Sequence, residues 1–158
     1  MASKPKKTKR VARKRPAARA ARPARPTRQQ PESLRLRSIA ASLTVNDLEK
    51  SIAWYRDVLR FTPGERWGEG SQMRGIALLA GSCEIYLAQD DFAKGRDRKK
   101  GEGMRLRIAT IQDLTAIAAR IKASGFRLDF GPQRSPWGEH AFGITDPDGY
   151  KITVYEAQ

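Results

Sequence analysis

The chain has 158 residues, a net charge of +14 and a pI near 10.5, a length that suits one domain with a proper core. No stretch approaches the roughly 20 apolar residues that span a bilayer, and no apolar segment of about 7–15 residues opens the chain as a secretory signal would. The single cysteine, Cys83, excludes an intrachain disulfide, so the expected setting is cytoplasmic, away from membranes.

The charge is confined to one end. Residues 1–37 hold 14 Lys and Arg against Glu32 alone, whereas the remainder holds 17 against 16 acidic residues and is nearly neutral. Residues 1–33 are mostly Lys, Arg, Ala and Pro. Such a segment cannot bury enough apolar surface to offset its ordering entropy and is expected to be a disordered tail. Pro5, Pro16, Pro23, Pro26 and Pro31 argue against an amphipathic presequence helix. The tail serves either solubility or weak, salt-dependent contact with a polyanion such as nucleic acid. No aromatic residue is interleaved, so base stacking is not offered.

From residue 34 the chain reads as ordered. Ile39, Leu43 and Val45 share one face of a period-two run, and Ala40, Ser42 and Thr44 share the other, which predicts a strand. Asn46 or Asp47 supplies an N-cap, and Leu48, Ile52, Tyr55 and Leu59 recur at helical spacing. Strands are predicted at Gly64 to Trp67, Gly75 to Ala80 and Cys83 to Ala88, with turns at Gly70-Ser71 and Gly81-Ser82. This first module occupies residues 34–90. The polar segment 91–103 is a linker. Its glycines and clustered cations fit either a solvated connection or a flap that closes over an anion.

Residues 104–158 repeat the pattern. A strand at Met104 to Ile111 is followed by a helix with Leu114, Ile117, Ala118 and Ile121 on one face, ending at Gly125. Strands then follow at Phe126 to Phe130, His140 to Ile144 and Lys151 to Tyr155. Asp146-Pro147-Asp148-Gly149 lacks the ligand spacing of a calcium loop and is a hairpin turn. Asn46-Asp47-Leu48 and Gln112-Asp113-Leu114 mark the two helix starts, about 66 residues apart, and such self-similarity indicates an internal duplication. The predicted fold is α+β: two βαβββ modules, with curled mixed sheets and helices on the outside.

Leu43-Thr44-Val45-Asn46-Asp47-Leu48 followed by Trp54-Tyr55-Arg56-Asp57-Val58-Leu59, and Pro136-Trp137-Gly138 followed by Asp146-Pro147-Asp148-Gly149, together resemble the vicinal oxygen chelate superfamily. This superfamily includes glyoxalase I, extradiol dioxygenases and bleomycin resistance proteins. The resemblance covers about Ser38 to Gln158. One departure is Arg60, where the family usually has a glycine after the helix.

The resemblance implies sheets curled around a cleft, with metal-dependent members placing ligands on the first and last strand of each half. Those positions fall on Ala40, Tyr86, Leu106 and Thr153. None is His, Glu or Gln, and Ala and Leu have no donor atom. A shift by two residues brings Ser42, Glu84 and Ile108 to the cleft, and only Glu84 of these coordinates metals readily. No cofactor is therefore expected, and the implied function is metal-independent binding of a planar or aromatic small molecule, as in bleomycin resistance proteins. The expected ligand-binding residues are Ser42, Thr44, Tyr86, Leu106, Trp137 and Thr153, with Arg105 or Arg107 near the mouth. One alternative is a glyoxalase-like or dioxygenase-like lyase, isomerase or oxygenase with an atypical divalent-metal site drawn from Glu84, Glu139 and His140. Another is a nucleic-acid-associated protein that works through its tail. Family members often complete their clefts between subunits, so a homodimer is an expected assembly.

Overall fold

In the computed structural model of the protein, which describes residues 37–157, the apolar alternation around Leu43 becomes strand β1 (Ala41–Val45). The predicted basic tail, and any polyanion contact through it, lies outside the described residues. Helix α1 (Leu48–Val58) follows, capped by Asp47, whose carboxylate accepts from the Lys50 amide at 3.0 Å. Such a cap satisfies a donor that the first helical turn leaves orphaned. Strands β2 (Thr62–Trp67), β3 (Gly75–Ala80) and β4 (Cys83–Gln89) complete a sheet of order β1-β4-β3-β2, called sheet A here. The second module repeats this with β5 (Arg105–Thr110), α2 (Leu114–Ala123), β6 (Phe130–Arg134), β7 (His140–Thr145) and β8 (Lys151–Glu156), in the order β5-β8-β7-β6, called sheet B. In each sheet the first and last strands of the module pair in parallel and the other pairings are antiparallel. The duplicated βαβββ, α+β architecture is the one expected.

Each helix covers one face of its own sheet. Leu43, Leu78 and Leu87 of sheet A, and Phe142, Ile144 and Ile152 of sheet B, are fully buried or nearly so. Burial of a side chain of this size contributes about 1.5–3 kcal/mol. Alternation leaves the opposite face of each sheet uncovered by its helix. Those faces carry the polar and aromatic residues discussed below.

Two strands differ from their predicted spans. β6 runs over Phe130–Arg134 rather than Phe126 to Phe130, and β2 begins at Thr62 rather than Gly64. Both strands contain a proline, Pro132 or Pro63, which reads as a break in an isolated sequence. Both are edge strands with a register irregularity beside the proline, a setting in which a missing amide costs no ladder bond. At the end of α1, Arg60 adopts φ 63°. The left-handed conformation that glycine usually supplies after a helix is present, and a larger residue bears it. Gly125 holds the equivalent place after α2, with φ 84°.

The modules are joined by a polar lock around the turn Asp146 to Gly149. Tyr55 of α1 donates its hydroxyl to Asp146 Oδ2 at 2.9 Å, and Asp146 Oδ1 accepts the amides of Asp148 and Tyr150 at 2.9 and 2.8 Å. Asp148 in turn accepts from the Asn46 amide and the Ser51 hydroxyl. Tyr150 donates to the carbonyl of Thr44 at 3.0 Å. Burial pushes the Asp146 carboxyl above its ordinary value, against the pull of its donors. Burial, followed by the negative charge of Asp146, pushes the Tyr55 hydroxyl up as well.

The linker is tied down rather than merely solvated. Asp90 is buried and accepts from the Phe92 amide, from Arg98 at 3.2 Å and from Lys100, whose side chain is 1% exposed. Arg96 lies 4.2 Å over the Phe92 ring. The two cations on Asp90 are therefore spent on an internal carboxylate, which removes them from a flap that closes over an anion. No helix among the described residues is long and apolar enough to cross a membrane.

Candidate functional site

Strand register decides which side chains share the open face of sheet A. Ser42 pairs with Tyr86, which pairs with Ala77; Thr44 pairs with Ala88, which pairs with Gly75, which pairs with Trp67. Leu43, Leu87 and Ile76 point the other way, into the core. The open face holds a hollow of about 320 Å³ lined by Ser42, Trp67, Arg74, Gly75, Tyr86, Leu87 and Ala88. Its volume lies at the lower end of the range of about 300–1,000 Å³ usual for small-molecule sites.

The walls are aromatic. Trp67 and Tyr86 approach edge-on, with centroids 5.4 Å apart and planes at 61°, and Trp67 is 40% exposed. Gly75 makes this approach feasible: a Cβ there would lie 2.8 Å from the Leu87 carbonyl and 3.2 Å from Trp67 Cε3. The Tyr86 hydroxyl donates to Glu84 Oε1 at 2.8 Å. That hydrogen bond, with smaller effects of burial and charge, pushes the Tyr86 hydroxyl above its ordinary value. Tyr86 thus stays protonated at neutral pH, and its oxygen remains an acceptor for a ligand donor.

A second hollow of about 520 Å³ lies on module two, lined by Arg134, Trp137, Gly138, Glu139, His140, Tyr155, Glu156 and Ala157. It is strongly polar. Arg107 pairs with Glu139 and stacks 4.7 Å over the Tyr155 ring, and His140 Nδ1 lies 3.4 Å from Glu156 Oε2. Trp137, at the tip of the β6–β7 hairpin, is 78% exposed. On the open face of sheet B, Arg105 donates to the Thr153 hydroxyl at 3.1 Å.

The expected lining residues therefore fall in two groups. Ser42 and Tyr86 line the first hollow, and Thr44 shares their face. Trp137 lines the second hollow, and Thr153 lies on the open face of sheet B. Leu106 belongs to neither. It pairs with the fully buried Ile152 and packs against the core. Arg105 and Arg107, which flank it, take the open face, with Arg107 opposite Thr153. Trp67, Arg74 and Gly75 were missed as lining residues. The pairing of Trp67 with Gly75 depends on the irregularity in β2 and on a short 3-10 turn at Gly70–Gln72, neither of which has a clear signature in the sequence.

The register also tests whether a divalent metal suits the site. Paired positions on the first and last strands are Ser42 with Tyr86 and Arg107 with Thr153. Two hydroxyls, a phenol and a guanidinium are a poor donor set for such an ion, and the guanidinium repels it. Glu84 lies on sheet A, whereas Glu139 and His140 border the second hollow. These three do not converge, and no group of three or more His, Cys, Asp or Glu among the described residues is arranged to hold a metal.

The model of the Glyoxalase/Bleomycin resistance protein/Dioxygenase superfamily matches residues 35–154. No curated protein matches the chain. Among solved structures, a superfamily member from Sphaerobacter thermophilus is 25% identical, with a TM-score of 0.58, covering 75% of this chain and 94% of its own. A lactoylglutathione lyase from Agrobacterium tumefaciens is 20% identical, with a TM-score of 0.57, covering 78% and 96% respectively. TioX from Micromonospora sp. ML1 is 16% identical, with a TM-score of 0.64, covering 76% and 98%. At these identities the last two speak to the fold alone.

Proposed function

Since the chain belongs to the Glyoxalase/Bleomycin resistance protein/Dioxygenase superfamily, we propose that it is a binding member that holds a planar or aromatic small molecule without a divalent metal, in the manner of bleomycin resistance proteins. The observation that carries this reading is the hollow on sheet A. Where a metal-dependent relative would present coordinating groups, Ser42 and Tyr86 face an apolar floor of Gly75 and Ala88, beside the exposed Trp67. Aromatic walls with a few polar tips are the common makeup of a site that grips by shape and stacking.

A second copy of the chain is part of the proposal. The two hollows lie on separate sheets, each with an exposed tryptophan, Trp67 or Trp137. Pairing module one of one copy with module two of another would cover both and exclude water from the ligand. Native mass spectrometry of freshly isolated full-length protein tests both parts at once. The expected result is a dimer mass carrying an aromatic small molecule that Trp67→Ala releases. A ligand that is retained unchanged by Trp67→Ala would contradict this placement.

A further inference from the structure

We infer that the ligand of the sheet A hollow is an aromatic anion, with its ring against Trp67 and Tyr86 over the Gly75–Ala88 floor and its charged oxygens toward Arg74. This rests on the reading of that hollow as a small-molecule site and narrows the chemistry it takes. Along β4 the chemistry changes, from Glu84 beyond Tyr86 at one side to Arg74 just past the Gly75–Ala88 pair at the other. Glu84 already accepts from the Tyr86 hydroxyl, and its charge repels an anion. Arg74 borders the hollow.

The backbone of Arg74 is held from both sides. Its amide donates to the Trp67 carbonyl at 2.7 Å, and its carbonyl accepts from Gln89 at 2.8 Å. These bonds fix the Arg74 backbone against the strand that carries Trp67 and against the end of β4. Arg56, Arg98, Lys100 and Arg107 each meet a carboxylate within the chain, whereas Arg74 makes no ion pair among the described residues. A guanidinium at the rim of an apolar hollow offers a planar fork of donors that matches a carboxylate in two-point contact. A bound ring displaces water from beside it and strengthens the attraction.

Calorimetric titration of the full chain at neutral pH with 2-naphthoate, 2-naphthamide and 2-naphthylmethylammonium tests this. These probes share a ring and differ in charge. The expected order has naphthoate about tenfold or more tighter than the amide, the factor of one good charge-assisted contact, and the ammonium weakest. Arg74→Gln should bring the naphthoate-to-amide affinity ratio close to one, while Arg74→Lys keeps part of the preference. An amide that binds the native protein as tightly as naphthoate, or a preference that survives Arg74→Gln, overturns the inference. In either case a loss of binding by Trp67→Ala leaves the aromatic site itself standing. Failure of all three probes to bind the native protein defeats the inference and the site together.

Discussion

Asp90→Ala is expected to lower the stability of the folded chain by about 3–5 kcal/mol, the usual cost of removing one partner from a buried ion pair. Asp90 is 7% exposed, and the Lys100 side chain that meets it is 1% exposed. With alanine in place, the ammonium keeps its burial and loses its counter-charge, and the Phe92 amide and Arg98 lose their acceptor too. Urea denaturation should show a lower midpoint at an unchanged slope, which marks a change in stability rather than in the surface exposed on unfolding. The paired replacement Asp90→Leu with Lys100→Met should recover most of the loss, because two apolar groups of similar size need no counter-charge. Asp57→Ala is the contrasting case. Its pair with Arg56 is more than half exposed on both sides, and little or no change is expected. A loss for Asp90→Ala as small as that for Asp57→Ala would mean that the linker is not locked as described.

Gly101→Ala is the second large effect. A Cβ at this buried position would overlap the carbonyl of Gly149 and the amide of Tyr150. The obstruction is backbone, so no side chain can turn aside. Overpacking of this kind costs about 1–3 kcal/mol, and more where the backbone must move. The displaced turn carries Asp146, which receives Tyr55, and Tyr150, which donates to Thr44 on a strand of the site. Ligand affinity should therefore fall together with the melting temperature. Gly103→Ala separates this from ordinary glycine effects. Gly103 has φ 76° and open space around its Cβ position, so its loss is backbone strain alone, about 1–2 kcal/mol. Equal melting temperatures for the two variants would contradict the packing argument.

Much of the fold was legible because local signals were strong and repeated. Asp47 and Asp113 announced both helices, and each carboxylate accepts a first-turn amide. Leu43, Val45, Ile152 and Val154 alternate as buried strands do. The edge strands were harder. Pro63 and Pro132 look like stops until a neighbouring strand is known to lie on one side only. The site was legible only in part, and the reason is parity. Ser42 and Tyr86 share a face because module one keeps its alternation through β1 and β4. Leu106 packs against the core, and in a strand one residue moves a side chain to the other face. The open face then carries Arg105 and Arg107 instead of a leucine. Arg74 lies just before β3 and owes its place to hydrogen bonds with Trp67 and Gln89. Contacts of that kind join residues by pairing and leave no periodicity to read.

The central claim is that the cleft holds its ligand through Trp67, Tyr86 and the hydroxyls around them, without an ion at the paired strand positions. Metal stoichiometry of full-length protein purified without chelator, read by plasma mass spectrometry, tests it most directly. Divalent metal well below one ion per chain is the predicted result, whereas one tightly held divalent ion per chain would contradict the account.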